Sequence, residues 1–171
     1  MNHIAFQPAF DVYHTEFRML RLLHFVDIKK WHADQLRILD FYLLYFFRLG
    51  DVRLSRPLAS LKKLARSFEG VSYEIQPNDK LLFFRMSPVQ SVALEALASN
   101  GLIAKSELRH GLVVRTGAEI PLQLKARVEE INKSDEKRMD SLKKLVLEYP
   151  FLGANGLKDR TGLMEHRYDS V

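Results

Sequence analysis

The stretch from Ser87 to Gly117 constrains the fold most, because a helix start, a helix stop and a turn follow one another in it. Ser87 can cap a helix, and Pro88 suits a first helical position, where its missing N–H costs nothing. Apolar residues then recur at helical spacing until Asn100 and Gly101, which favour a left-handed stop. We therefore expect a helix from Ser87 to Asn100.

A short β-hairpin is predicted directly after this helix. Residues 102–104 and 112–114 are apolar and suited to strands, and His110 and Gly111 between them are turn formers. Two helices and a short edge strand are predicted upstream, at residues 33–49, 58–68 and 52–54. The order helix, strand, helix, helix, hairpin is that of a winged helix, with the helix 87–100 in the recognition position.

The rest of the chain adds helices on both sides of this core. Asp11 is a good N-cap for a helix over residues 12–26. Residues 122–149 form either one long helix or two helices joined near residues 132–134, and polar Asp135 in the middle of the heptad frame favours two. We predict a mostly α-helical fold with a small β-hairpin: a winged-helix core with N-terminal and C-terminal helical extensions.

Four segments are predicted along the chain. Residues 1–10 are expected to be an extended lead-in, because Pro8 disfavours a helix. Pro150 ends the helical extension, and the tail beyond it is rich in glycine and charge, so we expect contacts with the rest of the chain to order it. The lead-in with its helix, the winged-helix domain, the extension and the tail span 1–32, 33–117, 118–150 and 151–171.

The predicted helix over residues 33–49 is the most hydrophobic part of the chain, and residues 41–47 contain no polar break. A membrane span needs about 20 apolar residues. Arg37, Asp40 and Arg48 interrupt this helix, so we expect no membrane association. Burial in the core or in a protein interface is expected instead. Arg37 and Asp40 are three residues apart on one face, so we expect them to form a structural ion pair.

Composition and motifs exclude several classes of chemistry. The chain has no cysteine, hence no disulfide framework, zinc ribbon or thiol nucleophile. Its six histidines lack metal-ligand spacing, and it has neither a phosphate-binding glycine loop nor a glycine-flanked serine nucleophile. We therefore predict a non-enzyme without catalytic residues, cofactors or metals; a small enzyme with an unrecognised site is the remaining alternative. The N-terminus lacks a secretion signal, so the cytoplasm is expected.

Two N-terminal segments resemble a known family. Residues 6–14, FQPAFDVYH, and residues 36–44, LRILDFYLL, resemble the middle component of bacterial ABC three-component systems. In these defence modules, which include or are related to the Lamassu type, an SMC-like ABC ATPase works with a middle subunit and a variable effector. The resemblance implies a non-catalytic adaptor that bridges the ATPase and an effector, such as a nuclease, in anti-phage or anti-plasmid defence.

An adaptor needs surfaces that bind its partners. The predicted locations are the apolar helices near the N-terminus, which carry more apolar surface than one domain core requires, and the helices after the winged-helix domain, which have one apolar face available to a partner or to the domain. The candidate interface residues are Phe10, Tyr13, Phe17, Tyr42, Tyr45 and Phe46.

The charge distribution leaves contact with double-stranded DNA open. The net charge is +5, and the positive excess is concentrated between residues 51 and 117. The helix 87–100 has no lysine or arginine and Glu95 as its only charge, so sequence-specific readout is not expected. The alternative function is a winged-helix DNA-binding transcriptional regulator. Candidate contacts to the DNA backbone, each of which could instead belong to a solvated charged rim, are Lys62, Lys63, Arg66, Lys105, Arg109 and Arg115.

Overall fold

The computed structural model describes residues 7–68 and 78–165. These residues are mostly helical, with one two-stranded antiparallel sheet formed by β1 (Trp31–His32) and β2 (Leu112–Val113). The α-helices in these residues are α1 Val12–Phe25, α2 Ala33–Leu44, α3 Ser60–Arg66, α4 Asp79–Ser99, α5 Lys105–Leu108, α6 Leu122–Ser134, α7 Glu136–Glu148 and α8 Leu157–Thr161. Short 3-10 turns cover Pro8–Phe10, Phe46–Asp51 and Arg56–Leu58.

Helix α1 begins where its cap predicts. The Asp11 carboxylate accepts from the backbone N–H of His14 at 2.8 Å, which confirms the predicted N-cap. The residues before it form a 3-10 turn instead of an extended lead-in, since Pro8 at the first position of the turn has no N–H to lose. Residues 1–6 of the lead-in and 166–171 of the tail lie outside the described residues.

Helix α2 lies in the centre of the protein. It contacts α1, α4 and α7, and Leu36, Ile38, Leu39 and Phe41 are fully buried. A helix that is apolar on every side must be covered on every side, which agrees with the burial predicted for this segment. One continuous hydrophobic core draws on residues from Ala9 to Leu163. The predicted division into four segments stays a prediction.

The predicted ion pair between Arg37 and Asp40 is wrong. Asp40 is fully buried and pairs with Arg18 of α1, with 2.6 Å between Nε and Oδ1. Arg37 pairs with Asp34, with 2.9 Å between Nη1 and Oδ1. Asp34 and Asp40 are each three residues from Arg37, so sequence spacing does not distinguish them. Packing does, because Asp40 lies on the face that α1 covers.

Helix α4 begins eight residues before its predicted start. Asn78 caps it by accepting from the N–H of Leu81 at 2.9 Å, and the helix continues through Pro88 to Ser99. Ser87 is an interior residue whose hydroxyl donates to the Phe83 carbonyl at 3.2 Å. An internal proline costs about 3 kcal/mol. Burial of apolar side chains upstream of it opposes that cost; these are Leu82, Phe83 and Met86.

The end of α4 agrees with the sequence. Asn100 follows the last helical residue, and Gly101 has φ +72°, the left-handed conformation that glycine adopts without strain. By length and composition, α4 is the one described helix that could cross a membrane, yet 44% of its most apolar window is buried in the protein. Buried core helices of water-soluble proteins can have the same length and apolar composition, so these two properties are a weak indication of a membrane span.

Residues 102–116, the return segment, differ from the predicted hairpin. Ile103 and Arg115 form a single antiparallel bridge, and helix α5 lies between them where a tight turn was expected. The ladder partner of β2 is β1, with Trp31 opposite Val113. Residues 52–54 are not a strand, so the predicted edge strand is wrong. The backbone N–H of Ala33, directly after β1, donates to the Gly111 carbonyl at 2.8 Å, a partner so distant in the chain that no local pattern reveals it.

The C-terminal helices follow the second of the two predicted arrangements. Helices α6 and α7 meet at Asp135, so residues 122–149 form two helices. The chain after Pro150 folds back onto the protein. Arg53 donates to the Asp159 carboxylate at 2.7 Å, and Leu157 of α8 is fully buried.

Candidate interaction surfaces

Buried ionic contacts fix the inner side of α1. Arg18 binds Asp40 with two hydrogen bonds of 2.6 and 3.2 Å, and its Nη2 also donates to the Thr15 hydroxyl. The Gln90 amide of α4 donates to the same carboxylate at 2.9 Å. A buried arginine–carboxylate pair needs such extra partners to offset its desolvation. The network joins α1, α2 and α4.

A second buried arginine attaches the C-terminal helices to α1. Arg21 donates from Nε to the Asn132 side chain at 2.9 Å and from Nη2 to Asp135 at 2.7 Å. Asn132 donates back to the Arg21 carbonyl at 3.2 Å, and Arg138 donates to Asp135 at 2.6 Å. Burial lowers the pKa of Arg21, and the Asp135 carboxylate opposes that shift. These bonds hold the joint between α6 and α7 against α1.

With α1 and α6 fixed side by side, a groove opens between the N-terminal ends of both helices and the end of α4. This α1–α6 groove has a volume of about 580 Å³ and is mostly apolar. Its lining residues are Tyr13, Glu16, Phe17, Leu20, Asn100, Leu102, Glu119, Pro121 and Leu124.

Large apolar side chains reach solvent at the groove. Tyr13 on the α1 side is 81% exposed. On the α6 side Pro121 is exposed and Leu124 is half-buried. The two charged lining residues are both acidic, and one of them, Glu16, accepts from the Asn100 side chain at 3.2 Å. The groove therefore offers an apolar surface with a negative rim.

The structure separates the six candidate interface residues. Tyr13 and Phe17 line the α1–α6 groove, and Phe10 in the preceding turn is 39% exposed. Tyr42 and Phe46 are 1% and 2% exposed, so a partner cannot reach their side chains in this conformation. Tyr45 is half-buried, and burial raises its pKa. The other apolar wall includes Leu102, Pro121 and Leu124. The sequence predicted a partner surface on the helices after the winged-helix domain but did not indicate these residues.

A second apolar surface lies on the N-terminal half of α4. Phe84 is 73% exposed and Leu81 is 40% exposed. With Leu163 and Met164 they line a hollow of about 490 Å³, which we call the Phe84 patch. Phe84 and the groove residue Asn100 stand about 24 Å apart along α4, given a rise of about 1.5 Å per residue. The two apolar surfaces therefore lie at opposite ends of this helix.

Positive side chains gather around the return segment. Lys105, Arg109 and Arg115, three of the candidate DNA-backbone contacts, are exposed there. Pairing of β1 with β2 adds Lys29 and Lys30, because it brings the loop before β1 next to the return segment. Lys29 lines the same shallow cavity as Arg115, and Lys30 lies 3.5 Å from Glu107 of α5. We call these five residues the basic cluster.

The other three candidate DNA contacts lie elsewhere. Lys63 and Arg66 are exposed on α3 and Lys62 is half-buried. The end of α3 packs on the turn that follows α2. Arg66 lies so close to Gly50 that a Cβ at that position would be 3.1 Å from Arg66 Cγ. The basic cluster adjoins β1, which precedes α2. The length of α2, about 18 Å, lies between the two sites.

The described residues contain no group of three or more histidines and carboxylates that could hold a metal ion. A small, mostly helical chain with two exposed apolar surfaces has the features of a protein-binding subunit. A model of the family described as ABC-three component (ABC-3C) system Middle Component 5 matches residues 4–169. The chain belongs to this family, which confirms the predicted resemblance. No curated protein and no solved structure matches the chain.

Proposed function

We propose that this middle component is a non-catalytic adaptor that holds an SMC-like ABC ATPase and an effector, such as a nuclease, in a cytoplasmic defence complex of the Lamassu type. The observation that carries the proposal is the pair of separate apolar surfaces, the α1–α6 groove and the Phe84 patch. Monomeric soluble proteins rarely expose large contiguous apolar surface without a partner. Two such surfaces at opposite ends of α4 can be covered by two partners at the same time.

Co-purification tests the adaptor function. The chain is expressed with the ATPase and the effector of its own system, and the complex is isolated through a tag on the chain. We expect both components to be retained. Phe84→Glu should release one of them, whereas Leu147→Glu, a matched change at a leucine that is 68% exposed on α7, should retain both. A wild-type chain that retains neither component rules the adaptor out.

A winged helix within this adaptor is also proposed. Helix α1, strand β1, helices α2 and α4, the bridge at Ile103 and strand β2 follow one another in winged-helix order. In this assignment the unit begins with α1, upstream of residue 33, and β1 replaces residues 52–54 as its first strand. Helix α3 then belongs to an insertion between its second and third helices.

Contact with the DNA backbone is a second candidate function, and the basic cluster favours it. The early start of α4 also adds exposed Lys80 and Arg85 to a helix for which no positive charge was predicted. Proteins that neutralise phosphates bind with a slope of log K against log salt of about −0.9 per contact.

Charge reversal tests this second function. Changing Lys29 and Arg109 to glutamate should flatten the salt slope of binding to mixed-sequence duplex DNA by about 1 to 2 if both touch phosphates. Lys63→Glu on α3 is the matched control and should leave the slope unchanged. An unchanged slope in the double variant removes the basic cluster as a DNA contact. Strong preference for one DNA sequence, with no retention of ATPase or effector, would favour the transcriptional regulator.

A further inference from the structure

We propose that the α1–α6 groove receives a helix of a partner protein that presents a row of apolar side chains flanked by lysine or arginine. The inference rests on the proposed adaptor function, because it takes the partner to be the ATPase or the effector of the same system. It adds which surface is used and which chemistry recognises it.

The shape of the groove suits a helix. Its walls are the N-terminal parts of α1 and α6, and its volume of about 580 Å³ falls in the range of about 300–1,000 Å³ typical of ligand-binding clefts. Amphipathic helices commonly bind such apolar grooves through side chains spaced three and four residues apart. The buried residues of α6 are Val128 at its centre and Asn132 near its C-terminus, so the first turn, which faces the groove, is left open.

The charge of the groove selects the partner. Glu16 and Glu119 are its charged lining residues, although the chain as a whole has a net charge of +5. Charges at the rim of an interface act mainly on the rate of association and on the choice of partner. A negative rim favours a basic segment of the partner over nucleic acid. This rim adjoins the basic cluster, because Glu119 and Arg115 line a neighbouring cavity together.

The groove is also formed before binding. Arg18 and Arg21 hold α1 through buried hydrogen bonds, and Arg21 holds the joint that positions α6. A surface that is fixed in advance loses little conformational freedom when a ligand binds. The partner helix therefore meets walls that need not rearrange.

The experiment measures Kd of the full chain for the purified ATPase subunit and for the purified effector at low and high salt. The groove variants are Tyr13→Glu and Glu119→Lys; the matched controls on α7 are Leu147→Glu and Glu148→Lys, at exposed residues outside the groove. We expect Tyr13→Glu to weaken binding of one component about tenfold or more. Glu119→Lys should weaken the same component about fivefold at low salt and less at high salt. For the control variants, Kd should stay within about twofold of the wild-type value, because the changed residues lie outside the proposed interface.

Three outcomes overturn the proposal. If the wild-type chain binds a component and neither groove variant changes its Kd, the groove is not the docking site, while the adaptor function stands. If the wild-type chain binds neither component, both the adaptor function and the proposed partner of the groove are ruled out. If Tyr13→Glu instead turns a dimer into a monomer in light scattering, with both affinities unchanged, the occupant is a second copy of this chain. Because Tyr13 is highly exposed, these variants are expected to fold, and Glu119→Lys repeats the test without an apolar change.

Discussion

Helix α2 and the α1–α6 groove contain similar apolar residues in opposite situations. In α2 most apolar side chains are buried by α1, α4 and α7, and the partly exposed pair of Asp34 and Arg37 marks its polar side. At the groove they stand at helix ends, and Tyr13 is more than four-fifths exposed. The sequence places partner contacts in both regions, and only the groove leaves such residues accessible. Dense apolar sequence therefore indicates the core, and apolar residues that stay exposed at a helix end indicate a surface for binding.

The largest expected difference between the two regions is in the free energy of unfolding that is lost when an aromatic side chain is removed. Phe46, in the turn after α2, packs edge to face against Phe68 with 5.0 Å between ring centres. Phe46→Ala should lower the free energy of unfolding by about 4 kcal/mol, because it leaves a cavity in the core. Tyr13→Ala at the groove should change it by less than about 0.5 kcal/mol. Urea unfolding measures both; equal losses would mean that the groove side of α1 is as much a core element as α2.

The next difference concerns ion pairs of α2. Asp40→Ala should cost about 3 kcal/mol, because it leaves Arg18 buried without its carboxylate. The loss stays moderate since Arg18 keeps the Pro8 carbonyl and the Thr15 hydroxyl. Asp34→Ala is the control and should cost less than about 1 kcal/mol, because its pair with Arg37 is partly exposed.

A double replacement checks the cause of this loss. Arg18→Met with Asp40→Leu should recover most of the stability that Asp40→Ala removes, since no buried charge then remains. A double variant as unstable as Asp40→Ala would show that the hydrogen bonds themselves, and not an unpaired charge, account for the loss.

A smaller effect is expected where the groove wall is attached. Arg21→Ala should cost about 2 kcal/mol, because Asp135 keeps its bond to Arg138 and Asn132 keeps its bond to the carbonyl at position 21. Amide hydrogen exchange in α6 should become faster, while exchange in α2 stays slow. Arg127→Ala, at an exposed pair with Glu130, is the control. Unchanged exchange in α6 would mean that Arg21 does not set the position of this wall.

The smallest effect concerns pH. Hydrogen bonds from the backbone N–H and then from the ring of His14 hold the pKa of Asp11 below its ordinary value of 3.8. Because the pKa is lower in the folded state, the carboxylate stabilises the fold fully above its unfolded pKa, and this contribution is lost as pH falls through the folded pKa. Asp11→Asn should therefore lower Tm slightly at pH 7 and leave it equal to that of the wild type in strong acid. A Tm difference that persists in strong acid would assign the effect to something other than the charge.

Several features could be predicted because their signals are local. Asp11 caps α1, Gly101 ends α4, and the two C-terminal helices meet at Asp135 as the interrupted heptad indicates. Each of these depends on backbone groups or side chains a few residues apart. The predicted helix start at Ser87 and Pro88 is wrong. The same two residues can lie inside a helix when a cap upstream and buried side chains stabilise it.

The candidate site was predicted in part. Tyr13 and Phe17 were predicted because they lie on an apolar helix. The helices over residues 122–149 were also predicted to bind a partner, but Leu124 was not named, because the sequence does not indicate which side of them α1 covers. Lys29 and Lys30 were missed as members of the basic cluster, since only the pairing of β1 with β2 brings them there.

The sequence by itself determined the family, the helical content and most helix ends, because these follow from residue patterns and hydrogen bonds within a few turns. Tertiary structure alone decided that Asp40 pairs with Arg18, that Tyr42 is buried while Tyr13 is exposed, and that acidic residues border the groove. The physical reason is that burial and ion pairing depend on which side of a helix a distant part of the chain covers, and periodicity along one helix does not specify that partner.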